Sequence, residues 1–351
     1  MVSETNQLWM QRCLELAANG RGQVSPNPMV GCVIVHEGRI IGEGFHRQYG
    51  GPHAEVHAIN SVQDAGLLAE STLYVSLEPC SHYGKTPPCA DLIISKGIKK
   101  VVVACTDVNP KVAGQGIQKL RDAGIEVTTG VLEAEARELN KRFFTFHQQQ
   151  RPYIILKWAQ TLDGFIDIDR QASTQPAPTW ITSEQLKPLV HKWRTEEDAI
   201  MVGTQTVLMD NPKLTAREWE GRNPLRIFID KDLRVSHDFA VYDGSAPTWV
   251  LCAAPPVHPA KAENVVLDFT KDILPQLMEK LYQQQIQSLI VEGGRTLLQS
   301  FISAGLWDEA RVFTGNKYFG KGVKAPDFPN VPNEIVRFGE DVLGVFRRTE
   351  G

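Results

Sequence analysis

Short apolar runs alternate with amphipathic segments along the first half of the chain. Residues 29–35 and 39–44 flank the turn His36-Glu37-Gly38, a pattern that predicts a β-hairpin. Further apolar runs predict buried strands at residues 73–77, 100–105 and 125–129. Segments with helical periodicity lie around these runs, at residues 6–19, 54–59, 89–95, 117–123 and 133–148. Strands and helices in this alternation predict an α/β/α layered domain.

The second half repeats the alternation after a polar, glutamine-rich break at residues 148–152. We interpret the break as a boundary between domains at residues 1–147 and 148–351. Apolar runs predict strands at residues 153–159, 165–168, 198–203, 225–229, 248–252, 288–292 and 311–314. Helices are predicted at 204–209 and 271–284, and another follows Ser183, whose hydroxyl suits a helix N-cap. The pattern predicts a second α/β domain with a mixed sheet.

The composition is that of an ordinary soluble globular protein, with 42% hydrophobic and 22% charged residues among 351. A formal net charge of −4 disfavours a nucleic-acid-binding surface. Residues 1–11 contain no apolar signal-peptide core, and the chain has no run of about eighteen apolar residues, as a membrane span requires. We therefore expect a cytoplasmic protein that acts on small molecules, without nucleic-acid or membrane partners.

One group of residues has the spacing of a catalytic zinc site. His53, Cys80 and Cys89 supply three ligands, and Zn²⁺ bound by three protein ligands keeps a fourth position for water. Glu55 lies two residues after the histidine, where a carboxylate can move protons between water and a departing amine. This order matches the zinc-deaminase signature His-x-Glu…Pro-Cys-x-x-Cys, except that eight residues separate the two cysteines. Zinc-dependent deamination is the predicted chemistry.

Two other interpretations of these residues stay open at this point. The histidine and cysteines can be ordinary polar and core residues, since four other cysteines lie in apolar segments and suit a reducing compartment. A closed structural zinc site would need a fourth protein ligand, which His57 or His82 could supply. A non-enzymatic binding protein, stabilised by zinc at a degenerate site, is a further alternative.

Several polar residues at predicted strand ends and loops are candidates for substrate binding near this site. Asparagine and aspartate can pair with the edge of a pyrimidine, whereas histidine and lysine suit a phosphate. Each of them alone also fits turn chemistry or a solvated charge. The candidates are Asn27, His46, His82, Lys85, Asp107 and Asn109.

The first half resembles the bifunctional riboflavin-biosynthesis deaminase/reductase family, and the long cysteine spacing is similar to that family's pattern. The resemblance rests on Pro26-Asn27-Pro28-Met29-Val30-Gly31, Gly44-Phe45-His46, His53-Ala54-Glu55 and the stretch from Glu78-Pro79-Cys80 to Pro87-Pro88-Cys89. It implies a cytidine-deaminase-like fold, zinc on His53, Cys80 and Cys89, and a proton shuttle at Glu55. It also implies that the six candidates above contact a diaminopyrimidinone with a ribosylamino 5-phosphate.

A glycine pair in the second half is a weaker signal. Gly293-Gly294 lies between the predicted strand 288–292 and a helical segment, where backbone amides can approach an anion. Such a pair is more often a tight connection only. The chain contains no Gly-x-Gly-x-x-Gly, which disfavours a Rossmann dinucleotide domain.

The second half is similar to the reductase domain of the same family, which implies a dihydrofolate-reductase-like α/β fold that uses NADPH. The resemblance rests on Thr161-Leu162-Asp163-Gly164, Trp180-Ile181-Thr182, Asp210-Asn211-Pro212 and Val291-Glu292-Gly293-Gly294. The implied cofactor positions are Ala159, Trp180, Thr206, Asp210, Gly294, Arg295 and Thr296. The implied substrate positions are Lys157, Arg194, Leu214, Arg217 and Glu292.

The sequence departs from the family pattern at Pro178 and Lys231. Lys231 or Arg234 is a hypothetical partner for the 2′-phosphate of NADPH, because both are cationic and follow a predicted strand.

The resemblance as a whole implies two consecutive reactions: hydrolytic loss of an amine from the pyrimidine, then reduction of the ribosyl group to ribityl. It also implies a homodimer or higher homo-oligomer. Two other enzymes remain alternatives: a deaminase of tRNA or single-stranded nucleic acid, which the net acidity disfavours, and an enzyme for a related pteridine or purine-derived metabolite.

Overall fold

A computed structural model describes residues 4–81, 87–109, 113–170, 176–255 and 261–348. The chain divides into two compact units, residues 1–150 and 151–351, and the division falls within the polar break at 148–152. In the described part of the chain, no helix is long and apolar enough to cross a membrane.

The first unit is built on one mixed sheet. Its strands are β1 (Gly31–His36), β2 (Arg39–Phe45), β3 (Thr72–Leu77), β4 (Lys100–Cys105) and β5 (Glu126–Thr129). Their spatial order is β2-β1-β3-β4-β5. The hairpin β1–β2 and the pair β1–β3 are antiparallel, whereas β3, β4 and β5 run parallel. The carboxyl ends of β3 and β4 therefore lie at the same edge of the sheet.

Helices cover both faces of this sheet. They are α1 (Glu4–Ala18), α2 (Ala54–Ser61), α3 (Cys89–Ser95), α4 (Gln115–Asp122), α5 (Glu133–Leu139) and α6 (Lys141–Gln149). Alternate residues of β1 enter opposite cores: Cys32 and Ile34 pack with α2 and α3, whereas Val33 and Val35 pack with α1 and α5. Because side chains alternate along a strand, a continuous apolar run buries both faces, and the predicted α/β/α layering follows.

The prediction of one helix over residues 133–148 is wrong, because Asn140 interrupts it between α5 and α6. The Asn140 side chain is buried and forms two hydrogen bonds with the backbone of Met29: its Oδ1 accepts from the Met29 N–H, and its Nδ2 donates to the Met29 carbonyl, both at 2.8 Å. These long-range bonds hold Asn140 outside helical geometry, at φ −102° and ψ 23°. Helical periodicity cannot detect such a tertiary contact.

The second unit contains a sheet in the order β11-β10-β9-β8-β12-β6-β13-β16-β15. The strands of this unit are β6 (Tyr153–Thr161), β7 (Phe165–Asp167), β8 (Ala199–Val202), β9 (Leu225–Ile229), β10 (Thr248–Cys252), β11 (Glu263–Val266), β12 (Ser288–Glu292), β13 (Glu309–Gly315), β14 (Val323–Lys324), β15 (Glu334–Phe338) and β16 (Asp341–Arg347). The run from β11 to β13 is parallel, and β16 and β15 add antiparallel strands.

The helices of the second unit are α7 (Lys187–Glu196), α8 (Thr204–Asp210), α9 (Ile273–Gln283) and α10 (Arg295–Ser303). The sequence did not predict β11, β14, β15 or β16. In β15 most residues are exposed or half-buried, so the strand lacks a strong apolar pattern. Ser183 does precede a helical segment, but its side chain makes no capping hydrogen bond. Its backbone N–H instead donates to Asp341 Oδ2 at 2.8 Å.

Parallel strands place several predicted functional residues at one edge of this second sheet. Lys157 and Ala159 lie on β6, Glu292 is the last residue of β12, and Thr206 is on α8, directly after β8. Ligands of open α/β sheets bind outside the carboxyl ends of parallel strands. The topology therefore identifies this edge as a candidate site.

Candidate active sites

Three potential metal ligands converge at one edge of the first sheet. His53 is the N-cap of α2, Cys80 follows β3, and Cys89 is the first residue of α3. His53 Nδ1 lies 3.5 Å from Cys80 Sγ and 3.3 Å from Cys89 Sγ. All three ligand atoms lie within 4.8 Å of one another. Three separate elements thus bring one imidazole and two thiols together.

These separations fit a tetrahedral zinc ion. Zn–N bonds of about 2.0–2.1 Å and Zn–S bonds of about 2.3 Å place neighbouring ligand atoms about 3.5–3.8 Å apart. The two His53–sulfur distances, 3.5 and 3.3 Å, lie within a few tenths of an ångström of that range. Among the described residues, the ligand group contains His53, Cys80 and Cys89 and does not include His57. His82, the other candidate for a fourth ligand, lies outside the described residues.

The environment of Cys80 favours the thiolate that zinc binds. The pKa of Cys80 is lowered to about 4, chiefly by its hydrogen bond with the Cys89 side chain and further by His53 and the Cys89 backbone N–H. That N–H, in the first turn of α3, donates to Cys80 Sγ at 3.3 Å. A sulfur at the N-terminus of a helix gains from the aligned backbone dipoles, which stabilise negative charge.

Glu55 lies beside the ligand group in the first turn of α2, where its carboxyl is within hydrogen-bonding reach of the Cys89 thiol. Its side chain is only 3% exposed, and burial raises its pKa above that of an ordinary glutamate. A carboxyl with a raised pKa exchanges protons more readily near neutral pH than an exposed one. The position and burial of Glu55 therefore suit proton transfer.

His46 and Asn27 form a hydrogen-bonded pair next to His53. The His46 ring lies 5.4 Å from the His53 ring, centroid to centroid. Its Nδ1 donates to the Pro52 carbonyl at 3.0 Å, so its Nε2 accepts from Asn27 Nδ2 at 3.1 Å. Burial lowers the pKa of His46, which keeps the ring neutral. Because both ring nitrogens bond to protein groups, the histidine orients the Asn27 amide.

The remaining first-unit candidates divide into two groups. Asp107 and Asn109 lie on the loop after β4, where Asp107 Oδ1 accepts a 2.7 Å hydrogen bond from the Asn109 N–H. His82 and Lys85 lie outside the described residues.

The centre of the second-unit site is a buried cluster of charges. Register pairs Glu292 of β12 with Lys157 of β6, whose Nζ lies 3.9 Å from Glu292 Oε2. Arg194 Nη2 donates to the same oxygen at 3.0 Å. Burial raises the pKa of Glu292, but Arg194 and Lys157 outweigh burial, and the net pKa is lowered. Within the described part of the chain, Glu292 Oε1 and Arg194 Nε are buried without a hydrogen-bond partner, so the cluster has polar atoms available for a ligand.

The loop after α8 carries two other predicted substrate residues in different environments. Arg194 Nη1 donates to the Thr215 carbonyl at 3.1 Å and so ties the loop to the charge cluster. The Leu214 side chain is buried and its φ is +55°, a strained conformation for a leucine. Arg217 is exposed and free of ion pairs to the described residues, which leaves its guanidinium available to an anion.

The predicted cofactor positions at the glycine turn surround Thr206. The Gly294 N–H donates to Thr206 Oγ1 at 3.0 Å. Gly293 has φ +106°, and a Cβ there would lie 2.7 Å from Thr206 Oγ1, so a side chain does not fit. Arg295 and Thr296 follow as exposed residues in the first turn of α10. Because the Gly294 N–H already donates to Thr206, an anion at this turn would bind the backbone N–H groups that follow Gly294, in the first turn of α10.

Arg170 connects two further cofactor positions, Trp180 and Asp210. Its guanidinium donates to Asp210 Oδ1 at 2.8 Å and to Thr179 Oγ1, directly before Trp180, at 3.0 Å. The Trp180 ring is half-exposed, with Lys187 Nζ 4.2 Å from its centroid. Ala159, on β6, is half-buried opposite Phe313. Sequence reasoning missed Arg170, because an arginine near a turn has no distinctive motif.

Lys231 and Arg234, the hypothetical 2′-phosphate partners, are exposed after β9. The buried Asp230 carboxylate accepts hydrogen bonds from the Arg234 and Val235 N–H groups at 3.0 and 2.8 Å. This fixes the backbone of the loop and leaves both cationic side chains at the carboxyl edge of the sheet.

Two protein families match the chain. The cytidine and deoxycytidylate deaminase zinc-binding region matches residues 3–105, and the RibD C-terminal domain matches residues 152–342. Riboflavin biosynthesis protein RibD of Aquifex aeolicus is 42% identical, covering 99% of this chain and 100% of its own length. The RibD of Bacillus amyloliquefaciens is 43% identical over 91% of this chain and 86% of its own length. The chain belongs to the RibD family.

Solved structures agree with this membership. A diaminohydroxyphosphoribosylaminopyrimidine deaminase/5-amino-6-(5-phosphoribosylamino)uracil reductase of Thermotoga maritima has a TM-score of 0.87 at 40% identity, covering 98% of this chain and 99% of that one. Acinetobacter baumannii RibD has a TM-score of 0.88 at 33% identity, covering 99% of each chain. The RibD-family chain is a bifunctional deaminase and reductase of riboflavin biosynthesis, and the predicted family and fold class are confirmed.

Sequence reasoning about this RibD-family chain also missed the role of Glu78. Glu78 belongs to the Glu78-Pro79-Cys80 stretch on which the family resemblance rests, and its buried carboxylate accepts four backbone hydrogen bonds. A structural role for this glutamate could have been predicted from its position between a buried strand and a ligand cysteine.

His191 makes the stability of the second unit depend on pH. Its Nδ1 accepts from the Glu218 N–H at 2.8 Å, and burial, with Arg194 and Arg217, lowers its pKa to about 4. The unfolded chain, with a histidine pKa near 6.5, binds the extra proton first, so stability is lost as pH falls from about 6.5 to 4, by about 3 kcal/mol at most. We expect His191→Gln to flatten this part of the profile of unfolding temperature against pH. The exposed His237→Gln is the matched control, and an unchanged slope in His191→Gln would contradict the assignment.

Proposed function

We propose that the first unit is a zinc-dependent hydrolase that deaminates 2,5-diamino-6-ribosylamino-4(3H)-pyrimidinone 5′-phosphate, and that the second unit reduces the product's ribosyl group with NADPH. The observation that carries the deaminase proposal is the convergence of His53, Cys80 and Cys89 beside the buried Glu55. The substrate follows from the name of the Thermotoga maritima protein, which is 40% identical across nearly the whole chain.

His53, Cys80 and Cys89 would hold the zinc ion, since their spacing fits tetrahedral coordination. Zinc in such a site supplies a water molecule acidic enough to be deprotonated near neutral pH. The two cysteines would bind the ion as thiolates, and the Cys89 N–H at the start of α3 already stabilises negative charge on Cys80.

Glu55 would carry protons through the reaction. Its carboxylate accepts a proton from the attacking water and donates one to the exocyclic amine, which leaves as ammonia. Oxygen from water replaces nitrogen on the ring, so the reaction is hydrolytic and needs no oxidant. Burial at 3% exposure supports this role because the raised pKa brings the carboxyl closer to neutral pH.

The polar residues around Glu55 would bind and orient the pyrimidine nucleotide. His46 directs the Asn27 amide, whose donor and acceptor suit the edge of a pyrimidine. Asp107 and Asn109 offer similar groups from the loop after β4. His82 and Lys85 remain predicted phosphate contacts.

In the second unit NADPH would supply a hydride to the ribose C1′, while the bond between C1′ and the ring oxygen O4′ breaks and that oxygen takes up a proton to become a hydroxyl. The residues proposed to hold it are Ala159, Trp180, Thr206, Asp210, Gly294, Arg295 and Thr296. Gly294 is hydrogen-bonded to Thr206, and Arg170 links Asp210 to Thr179, the residue before Trp180. Arg194 Nε and Glu292 Oε1, which have no partner among the described residues, would orient the substrate, together with the neighbouring Lys157. Leu214 would line the site through its backbone, and Arg217 would pair with the 5′-phosphate.

A coupled assay tests the proposal as a whole. The full chain is incubated with the diaminopyrimidinone phosphate and NADPH, ammonia and NADPH absorbance are followed together, and zinc is measured on the same sample. We expect ammonia release without NADPH and NADPH oxidation only after deamination. Metal-loaded protein that releases no ammonia would refute the deaminase proposal.

Replacing Glu55 separates metal binding from proton transfer. Glu55→Gln keeps the size of the side chain but cannot accept the proton, so ammonia release should fall about 10²- to 10⁴-fold while zinc content holds. Cys89→Ser is the contrasting variant, which should lose zinc and lower the unfolding temperature, since metal binding couples to folding. Full activity in Glu55→Gln would overturn the proton-transfer role.

The two exposed cations after β9 test the choice of NADPH over NADH. Lys231→Ala with Arg234→Ala should raise the KM for NADPH roughly tenfold and leave the KM for NADH unchanged, because only NADPH carries the 2′-phosphate. Ammonia release by the other unit serves as the internal control. An unchanged KM for NADPH would refute the contact.

A further inference from the structure

Glu78 connects the cysteine turn of the deaminase unit to the loop that carries Asp107 and Asn109. It lies one residue after β3 and two residues before Cys80, and its side chain is 5% exposed. Within the described residues, the ion pairs do not include Glu78. A carboxylate buried without a cation is costly unless other donors satisfy it, so its hydrogen bonds determine its role.

Four backbone N–H groups surround the carboxylate. Oε1 accepts from Gly116 at 2.8 Å and Ile117 at 3.1 Å, in the first turn of α4. Oε2 accepts from Gly114 at 2.9 Å and from Asp107 at 3.2 Å. The two oxygens of an ionised carboxylate offer about four acceptor sites, so these amides fill them. One side chain thus holds both ends of the segment between β4 and α4.

A close backbone contact holds this segment to the cysteine turn from another direction. A Cβ on Gly116 would lie 1.9 Å from the Pro79 carbonyl oxygen, so α4 begins directly against the residue before Cys80. The Cys80 carbonyl in turn accepts from the Ala90 N–H at 3.1 Å, in the first turn of α3. Movement at the start of α4 would therefore displace the turn that carries the ligand cysteines.

We propose that Glu78 is a positioning residue for deamination: it fixes Asp107 and Asn109 relative to the metal-site turn, so that the pyrimidine binds in register with Glu55. This inference rests on the proposed deaminase function. A residue that only stabilised the helix N-terminus would need the α4 amides alone. Glu78 also accepts a hydrogen bond from the Asp107 N–H and so restrains the loop after β4. Asp107 in turn restrains Asn109, because its Oδ1 accepts the 2.7 Å hydrogen bond from the Asn109 N–H.

Glu78→Gln tests the inference because an amide keeps the size but turns an NH₂ group toward two N–H donors. We expect the KM for the diaminopyrimidinone phosphate to rise roughly 10- to 100-fold, the cost of a misplaced contact residue, with kcat per bound zinc changed less. Zinc content should stay at the wild-type level. Glu126→Gln is the matched control, since its exposed carboxylate lies 3.8 Å from Lys100, and it should leave both parameters unchanged.

A double-mutant cycle with Asn109→Ala separates positioning from general stability. If Glu78 acts through the substrate loop, Glu78→Gln costs less in the Asn109→Ala background than in the wild type. Additive losses, or a loss that disappears when rates are divided by zinc content, would overturn the proposal. If Glu78→Gln is insoluble, Glu78→Asp decides by the same readouts, because it keeps the charge but reaches fewer amides.

Hydrogen exchange distinguishes failure of this inference from failure of the proposed function. In Glu78→Gln the amides of Asp107, Gly114 and Gly116 should exchange faster, whichever substrate the enzyme takes. A wild-type enzyme inactive on the diaminopyrimidinone phosphate would refute the proposed function. Unchanged amide exchange in the variant would show that Glu78 does not restrain the segment between β4 and α4. An active wild type with faster exchange but an unchanged KM in the variant would show that the loop is held without effect on substrate.

Discussion

The convergence of an imidazole and two thiols within 4.8 Å is the constraint on which the first unit depends. The ligands come from two helix N-termini and a strand end, so the sheet and both helices must be placed before the site exists. The parallel pair β3–β4 supplies the common edge, and the apolar residues on the α2–α3 face of the sheet fix the helices against it. The Cys89 N–H bond to Cys80 Sγ keeps the two sulfurs in place. Packing and backbone amides thus build the donor set, and a cation would complete it.

The main constraint in the second unit is the burial of charged side chains. Lys157, Arg194 and Glu292 lie near the carboxyl edge of a parallel sheet, where burial alone would favour the neutral forms of Lys157 and Glu292. Two cations around one carboxylate restore its charge. Glu292 Oε1 and Arg194 Nε have no hydrogen-bond partner among the residues that the structure describes, and a polar ligand would satisfy these atoms, which otherwise carry a desolvation cost. Such a site selects for hydrogen-bonding groups more strongly than an apolar pocket of the same size does.

Local patterns in the sequence predicted most of the architecture, because the central strands are continuous apolar runs whose burial on both faces depends little on distant residues. The strand at Lys100–Cys105 and the helix that begins at Cys89 are confirmed. The failures are tertiary: Asn140 breaks a helix by bonding to Met29, and β15 is a half-exposed edge strand without apolar alternation. The ligand candidates were readable because metal chemistry restricts residue type and spacing. Glu78 was not, because it accepts hydrogen bonds from backbone groups that any sequence provides, and Arg170 was not, because an arginine near a turn has no distinctive motif.

Three buried glutamates have different roles because their neighbours differ. Burial raises the pKa of Glu55 despite the opposing effect of His53, so Glu55 can exchange a proton. Glu292 is buried with Arg194 and Lys157, its pKa is lowered, and it stays an anion that holds donors in place. Glu78 accepts four backbone N–H groups and has no acceptor site left for substrate, so it can act only on the chain. The partners, rather than the carboxyl itself, determine which of these acids can take part in chemistry. A substitution to glutamine therefore removes a proton carrier at the first position, a charge at the second and a backbone anchor at the third.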